Sequence, residues 1–383
     1  MSEVAARRYD LDLLRAFAMM LGIGLHTAVA TLALPGVSAE GPLAWFAAGV
    51  HGFRMPLFFL LSGFFTALLW QRRGARGLLR DRSRRVALPL LVSVVTIIPM
   101  LLIFGYLGSL APVEVSDTGA LARNPDLFLG VGLAHMWFLW YLFLLVLAYI
   151  PLARAITNSA KVLVWVLPVL AIVPQLFMIE RSFGPDTSAS IVPVWYVIAY
   201  YAVYFTFGAA TYDLPRRRGG QRIDYLGRSW PLLLPLSLVI LLPIGMYATF
   251  IEDNWVAASM LQVMYAWCII FGLIGLVRAL PGLHRPWVRY SSDASYWMYL
   301  AHLPLVLLIV PWVAVVGLAW PLTFSVSVLA VTVILLGSYQ LFVRYGAIGR
   351  LLNGPRIRLA KVPATPDGNE ELAAPHTNSP PTE

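Results

Sequence analysis

The sequence predicts an all-α fold: a polytopic membrane helix bundle of about ten transmembrane helices with both termini cytoplasmic. Three observations predict it. Of 383 residues, 59% are hydrophobic and only 12% charged, whereas a soluble domain is roughly 45–50% apolar and about 25% charged. Runs of about 20 apolar residues recur along the chain. The basic residues between those runs alternate between many and almost none. The composition, with a mean hydropathy of +0.75, excludes a soluble enzyme on a small anchor, a disordered chain and a disulfide-stapled secreted domain.

The apolar runs fall at 12–34, 48–70, 86–108, 133–153, 161–179, 192–212, 230–250, 256–278, 296–317 and 320–343. The second, sixth and ninth are diluted by polar residues. The first carries Arg15 and His26 and has no small-residue cleavage site, so it reads as a span and not as a signal peptide. With the N-terminus inside, 24 Lys and Arg residues fall on the inner segments and two, Arg123 and Arg181, on the outer ones. That asymmetry fixes the orientation. It also explains the net charge of +9 without nucleic acid as a partner. The longest outer loop, 109–132, has room for a short helix or an external cleft. Residues 1–361 read as one integral-membrane domain and 362–383 as a disordered cytoplasmic tail rich in Pro, Thr, Asn and Glu. No internal repeat is evident, which disfavours transporter folds built from repeated halves.

An ionisable residue inside a span is costly and marks a candidate site. Eleven residues at about 100° each bring Arg15 and His26 onto one face of the first helix, about 16 Å apart along its axis. Arg15 sits near the inner interface beside Asp12, and His26 sits past the midplane. In the second span, His51, Arg54, Phe58 and Ser62 share a face, with His51 and Arg54 at the depth of His26. Seven arginines lie between Arg72 and Arg85, more than orientation needs. They suit either anionic lipid or a phosphorylated ligand at the cytoplasmic face. His135 opens the fourth span within an aromatic cluster. His302 falls in the inner half of the ninth, where alone it reads as a packed histidine. The lone Cys268 sits in an apolar run and reads as packing. No carboxylate within the spans completes a metal site around His26 and His51, so no metal is expected.

These residues together resemble the integral-membrane acyltransferase family 3. The resemblance rests on Arg15 and His26 with ten residues between them, on Phe58-Phe59-Leu60-Leu61-Ser62-Gly63-Phe64, on Arg82 and Arg85 before Pro89, and on Ser295-Tyr296-Trp297-Met298-Tyr299-Leu300-Ala301-His302-Leu303-Pro304. It covers roughly residues 8–345. The runs His51-Gly-Phe-Arg54-Met-Pro56 and His135-Met-Trp137-Phe138-Leu139-Trp140-Tyr141 are similar to a branch of the family associated with adding succinyl groups to periplasmic glucans.

The resemblance implies a multi-pass enzyme of the bacterial inner membrane. It implies acyl-CoA (acetyl-CoA or succinyl-CoA) as co-substrate, with no permanently bound cofactor, and a carbohydrate hydroxyl as acceptor. Set on the depth map, it makes His26 the candidate general base, with Arg54 and His51 stabilising the oxyanion or orienting the acceptor. Arg15, Arg82, Arg85 and Ser62 become candidates for the CoA side, and His135, His302 and Tyr299 further candidates. A covalent acyl-enzyme on His26 or Ser62 remains open at this point. The competing readings are a transporter that uses the intramembrane Arg and His for protons or anions, and an idle lipid-binding scaffold. Oligomeric state and acceptor are not legible.

Overall fold

The computed structural model of the chain describes residues 8–113, 132–214, 222–281 and 286–353. Among them every regular element is a helix. In chain order these are α1 (Tyr9–Leu32), α2 (Pro42–Arg82), α3 (Leu88–Ser109), α4 (Trp137–Leu170), α5 (Ile172–Leu176), α6 (Trp195–Asp213), α7 (Arg222–Leu226), α8 (Trp230–Pro235), α9 (Leu242–Phe250), α10 (Trp255–Ala279), α11 (Pro286–Ala314), α12 (Trp320–Ser338) and α13 (Ala347–Asn353). Short π-helical turns at Ser83–Ala87, Leu236–Leu241 and Tyr339–Val343 join or extend them. The sequence sets the starts. Proline occupies the first turns of α2 and α12, where its missing N–H costs nothing. The Asn254 side chain accepts the Ala257 N–H at the start of α10, 3.1 Å.

Seven helical stretches among the described residues are long and apolar enough to cross a membrane. Two of them, Pro42–Ser109 and Ala134–Leu176, are of double length, and each turns back on itself. The Arg82 Nη2 donates to Thr66 Oγ1 at 3.3 Å, although sixteen straight helical residues would span about 24 Å. The reversal falls at Gly74, whose φ of +63° interrupts the helix and favours a residue without a Cβ. The arginine-rich segment after the second span, which reads as a loop in the sequence, is therefore mostly helical and doubles back under the bundle. In the second stretch, the Trp140 indole donates to the Ile191 carbonyl and Phe177 packs on Trp195. Thr157 instead bonds to Asp213, at the far end of α6. The chain must reverse near residue 157, between Arg154 and Lys161, where the sequence predicts an inner loop.

The helices pack as a bundle: α2 lies along α6, α1 along α11, α3 along α11, and α4 along α6. Small residues permit the closest of these approaches. A Cβ on Gly63 would overlap the Phe205 carbonyl, and one on Gly208 the Leu60 carbonyl, so α2 and α6 meet backbone to backbone. Aromatic residues of α6 fill the interior: Tyr201 stacks on Phe59 and Tyr204 on Trp267. Leu91, Val95, Val162, Val169, Val239, Leu329, Val333 and Phe342 point outward as an apolar belt, as a lipid solvent requires.

At the inner end Gln71 and Thr157 both donate to Asp213, and Arg8 and Arg278 both pair with Asp224. The outer loop 109–132 falls largely outside the described residues, as do the 362–383 tail, Arg123, Arg216, Arg217, Arg218, Arg285, Arg356, Arg358 and Lys361.

Candidate active site

A cavity of about 540 Å³ opens among α1, α2, α11, the turn before α4 and the segment between α5 and α6. His26, His51, Arg54, Phe58, His135, Tyr299 and His302 all line it. Four separate stretches of sequence thus deliver four of the chain's six histidines to one chamber. Among the described residues, its lining contains no carboxylate. Among the described residues, no group of three His, Cys, Asp or Glu side chains has a metal-binding arrangement.

Hydrogen bonds to backbone carbonyls fix three of the four rings. A carbonyl only accepts, so the ring nitrogen facing it must carry the proton. His51 Nε2 donates to the Pro185 carbonyl at 3.0 Å. His135 Nε2 donates to the Leu300 carbonyl at 3.0 Å. His302 Nδ1 donates to the Tyr299 and Met298 carbonyls at 2.8 and 3.1 Å. The opposite nitrogens, His135 Nδ1 and His302 Nε2, are buried without a partner and present bare lone pairs. His26 differs: among the described residues, no hydrogen bond ties either of its nitrogens, and its ring lies 5.0 Å from that of His302, centre to centre. His302 in turn lies 5.2 Å from His135.

The local sequence accounts for the Leu300 contact. Pro304 has no N–H to give the carbonyl four residues before it. That carbonyl belongs to Leu300, and His135 takes the vacancy. Tyr299 closes the same corner by donating its hydroxyl to the His135 carbonyl at 2.6 Å.

Arg54 enters the cavity from α2. Its guanidinium presses against Gly22 of α1, where a Cβ would overlap Nη1, and its Nε is buried without a partner. The cavity therefore holds one guanidinium and several imidazole lone pairs, with no acid to neutralise them. Such a set can accept a hydroxyl proton and receive a developing negative charge.

The segment between α5 and α6 walls the outer side. Gln262 of α10 holds it: its side-chain oxygen accepts the Gly184 N–H and the Gln175 amide, and its own amide donates to the Ser182 carbonyl. Asp186 accepts the Ile179 and Glu180 N–H groups. Burial pushes the Asp186 carboxyl above the usual range despite those bonds. Burial, then the neighbouring Asp186, does the same to Glu180.

The inner candidates stand apart from the cavity. Arg15 pairs with Asp12 at 3.0 Å, reaches Ser292 Oγ at 3.4 Å and lies over the Phe65 ring. Arg82 bonds to Thr66, and its Nε is buried without a partner. Arg15 and Arg85 are among the charges that bear on it. Arg85 pairs with Asp81 at 3.3 Å, and its carbonyl accepts the Tyr296 hydroxyl. Ser62 is half-buried and does not line the cavity, unlike His51, Arg54 and Phe58 on the same helical face.

His302 departs from the depth the sequence suggests. The ninth hydropathy window opens at 296 because Ser291, Ser292, Asp293 and Ser295 dilute the run before it. The helix itself opens at Pro286, so His302 lies mid-helix, level with His26 and not in the inner half. The walls from Ser182, Thr187 and Ala189 are not marked by any motif. The only sequence signal for the His135 acceptor is Pro304.

No solved structure matches the chain. It is 24% identical over 332 residues to the glucans biosynthesis protein C of Salmonella schwarzengrund, Salmonella typhi and Salmonella typhimurium, covering 80% of this chain and 84% of each relative. The model of the family 3 acyltransferase domain matches residues 8–339, from just before α1 to the end of α12. A bundle of apolar helices around an imidazole and guanidinium chamber, matched over nearly its whole length, is thus an acyltransferase that belongs to the integral-membrane acyltransferase family 3.

Proposed function

We propose that the protein moves an acetyl or succinyl group from acyl-CoA on the cytoplasmic side to a hydroxyl of a cell-envelope carbohydrate, such as a periplasmic glucan. The glucan reading draws on the relatives' name. The observation that carries the proposal is His26, an untied imidazole facing a cavity that also holds Arg54. His26 takes the acceptor's hydroxyl proton while the oxygen attacks the thioester carbonyl. Arg54 faces the negative charge that then develops on the carbonyl oxygen. The C–S bond breaks, and the proton on His26 passes to the departing thiolate. His51, fixed on Pro185 at the outer wall, suits the acceptor side.

Arg15, Arg82 and Arg85 form the inner pole, where a phosphorylated carrier meets cationic forks. The roughly 16 Å between Arg15 and His26 along α1 is a length that a pantetheine arm can reach. Ser62 lies outside the cavity, which favours direct transfer over an acyl-serine. The protein acts as a multi-pass protein of the bacterial inner membrane.

Purified protein in liposomes, given radiolabelled acetyl-CoA or succinyl-CoA and periplasmic glucan, should acylate the glucan. His26→Ala should insert and fold but lose transfer. Arg82→Ala with Arg85→Ala should raise the apparent KM for acyl-CoA about tenfold or more and leave that for glucan nearly unchanged. Solute flux without acyl transfer would favour transport instead.

A further inference from the structure

We propose that His302 is a positioning residue for His26: its Nε2 accepts the N–H of His26 and so holds the base in its working tautomer. This rests on the reading of His26 as the general base. Two imidazoles joined by a hydrogen bond of about 2.9 Å have ring centres about 5 Å apart. His26 and His302 lie at 5.0 Å, with their planes inclined at 45°. His302 Nε2 is buried and has no partner, which in an apolar interior is a cost that a function must offset.

Among the neighbouring histidines, elimination points to His26 as the donor. His302 Nδ1 already carries the ring's proton, donated to two carbonyls, so Nε2 can only accept. Its other histidine neighbour, His135, has committed its own N–H to the Leu300 carbonyl and has none to offer. His26 is untied, and in the proposed arrangement its ring turns to bring one N–H onto Nε2. The opposite nitrogen of His26 then presents its lone pair to the cavity.

In the reaction the acceptor's O–H breaks and its proton joins that lone pair. The imidazolium shares its other proton with His302, the C–O bond forms, and the C–S bond breaks. The proton on the catalytic nitrogen then leaves on the thiolate sulfur. His302 itself stays neutral throughout. It plays the orienting part that a carboxylate takes in a serine-hydrolase triad, in a chamber where no described residue offers a carboxylate.

The groups facing this pair are Arg54 and His51 from α2, His135 before α4, and Tyr299 from α11. Of the other helices packed against α1 and α11, α3 and α12 carry no charged residue; α10 carries Arg278, paired with Asp224 at the inner end, and α13 carries Arg350.

The test uses full-length protein in liposomes, with kcat, both KM values and the pH profile of kcat/KM measured for His302→Leu and His302→Gln beside His26→Ala. His302→Leu should lower kcat on the order of 100-fold with the acyl-CoA KM nearly unchanged. Its acid limb should move to lower pH, because the imidazolium has lost the lone pair that shares its proton. His302→Gln, which restores an acceptor oxygen near Nε2, should recover at least a tenth of the wild-type kcat. Equal losses in the Leu and Gln variants with an unmoved acid limb would overturn the proposal, and so would a normal kcat for His302→Leu. Should His302→Leu fail to fold, the Gln variant decides: an acid limb that stays at the wild-type pH supports the proposal, and loss of kcat in a folded Gln variant refutes it. Retained activity in His26→Ala would instead sink the general-base reading on which the inference rests.

Discussion

Gly22 shows how narrowly single residues are set in this site. Its missing side chain is the space that the Arg54 guanidinium occupies. A methyl group there meets only the far end of a flexible side chain, so the helix can keep its place while the guanidinium is pushed away. Gly22→Ala should therefore reduce acyl transfer about tenfold or more. It should leave the melting temperature in detergent nearly unchanged, since alanine also contributes about 1 kcal/mol of helix propensity. The sequence made the members of this site visible because a histidine or arginine is rare in a span. It could not show which nitrogen of each ring is committed. That depends on carbonyls such as those of Pro185 and Leu300, which look alike in every sequence.

At the scale of elements, the α2–α6 contact and the segment between α5 and α6 make separate demands. The two helices touch through Gly63 and Gly208 with backbone on backbone. Gly63→Ala gains propensity but forces the helices apart, and should cost about 1–3 kcal/mol, read as an earlier unfolding transition. Ser62-Gly63 is a pair of small residues of the kind that permits close helix approach, but nothing in the sequence names its partner helix.

Gln262 ties the outer wall with contacts to Ser182, Gly184 and Gln175. Gln262→Leu leaves these groups unpaired and should cost about 2–4 kcal/mol. It should also raise the KM for the carbohydrate far more than that for acyl-CoA. This wall was not legible, because residues 177–194 follow no period and are held by a glutamine about 80 residues further on. Window-based span limits failed for the same kind of reason at α11, where serines near its start hid ten residues of helix.

For the whole molecule, the alternation of basic residues and the two fold-backs point to the same arrangement. A reporter active only in the cytoplasm should be active when fused after α13, and inactive when inserted between α5 and α6. The same outer segment should respond to pH. Asp186 ionises at a higher pH in the folded protein than in an unfolded chain. The folded state therefore binds its proton more tightly, and the stability this contributes is present at low pH and lost as pH rises through the raised value. Residues 177–194 should accordingly exchange amide hydrogens faster, after correction for intrinsic rates, as pH rises from mildly acidic to neutral. Asp186→Asn should flatten that dependence. The all-helical fold was readable from charge and hydropathy alone. The chamber was readable only in part, because it is assembled from six stretches whose mutual rotation is decided by packing.

Pro304 and His135 belong to different helices, yet one leaves a carbonyl bare and the other covers it. Their fates in descent are therefore tied. A lineage that replaced Pro304 first would regain a helical bond and strand the imidazole. A lineage that replaced His135 first would leave an uncovered carbonyl in the bundle's interior. Each single step is penalised and the double step is not, so the two sites should be inherited as a unit and drift only together.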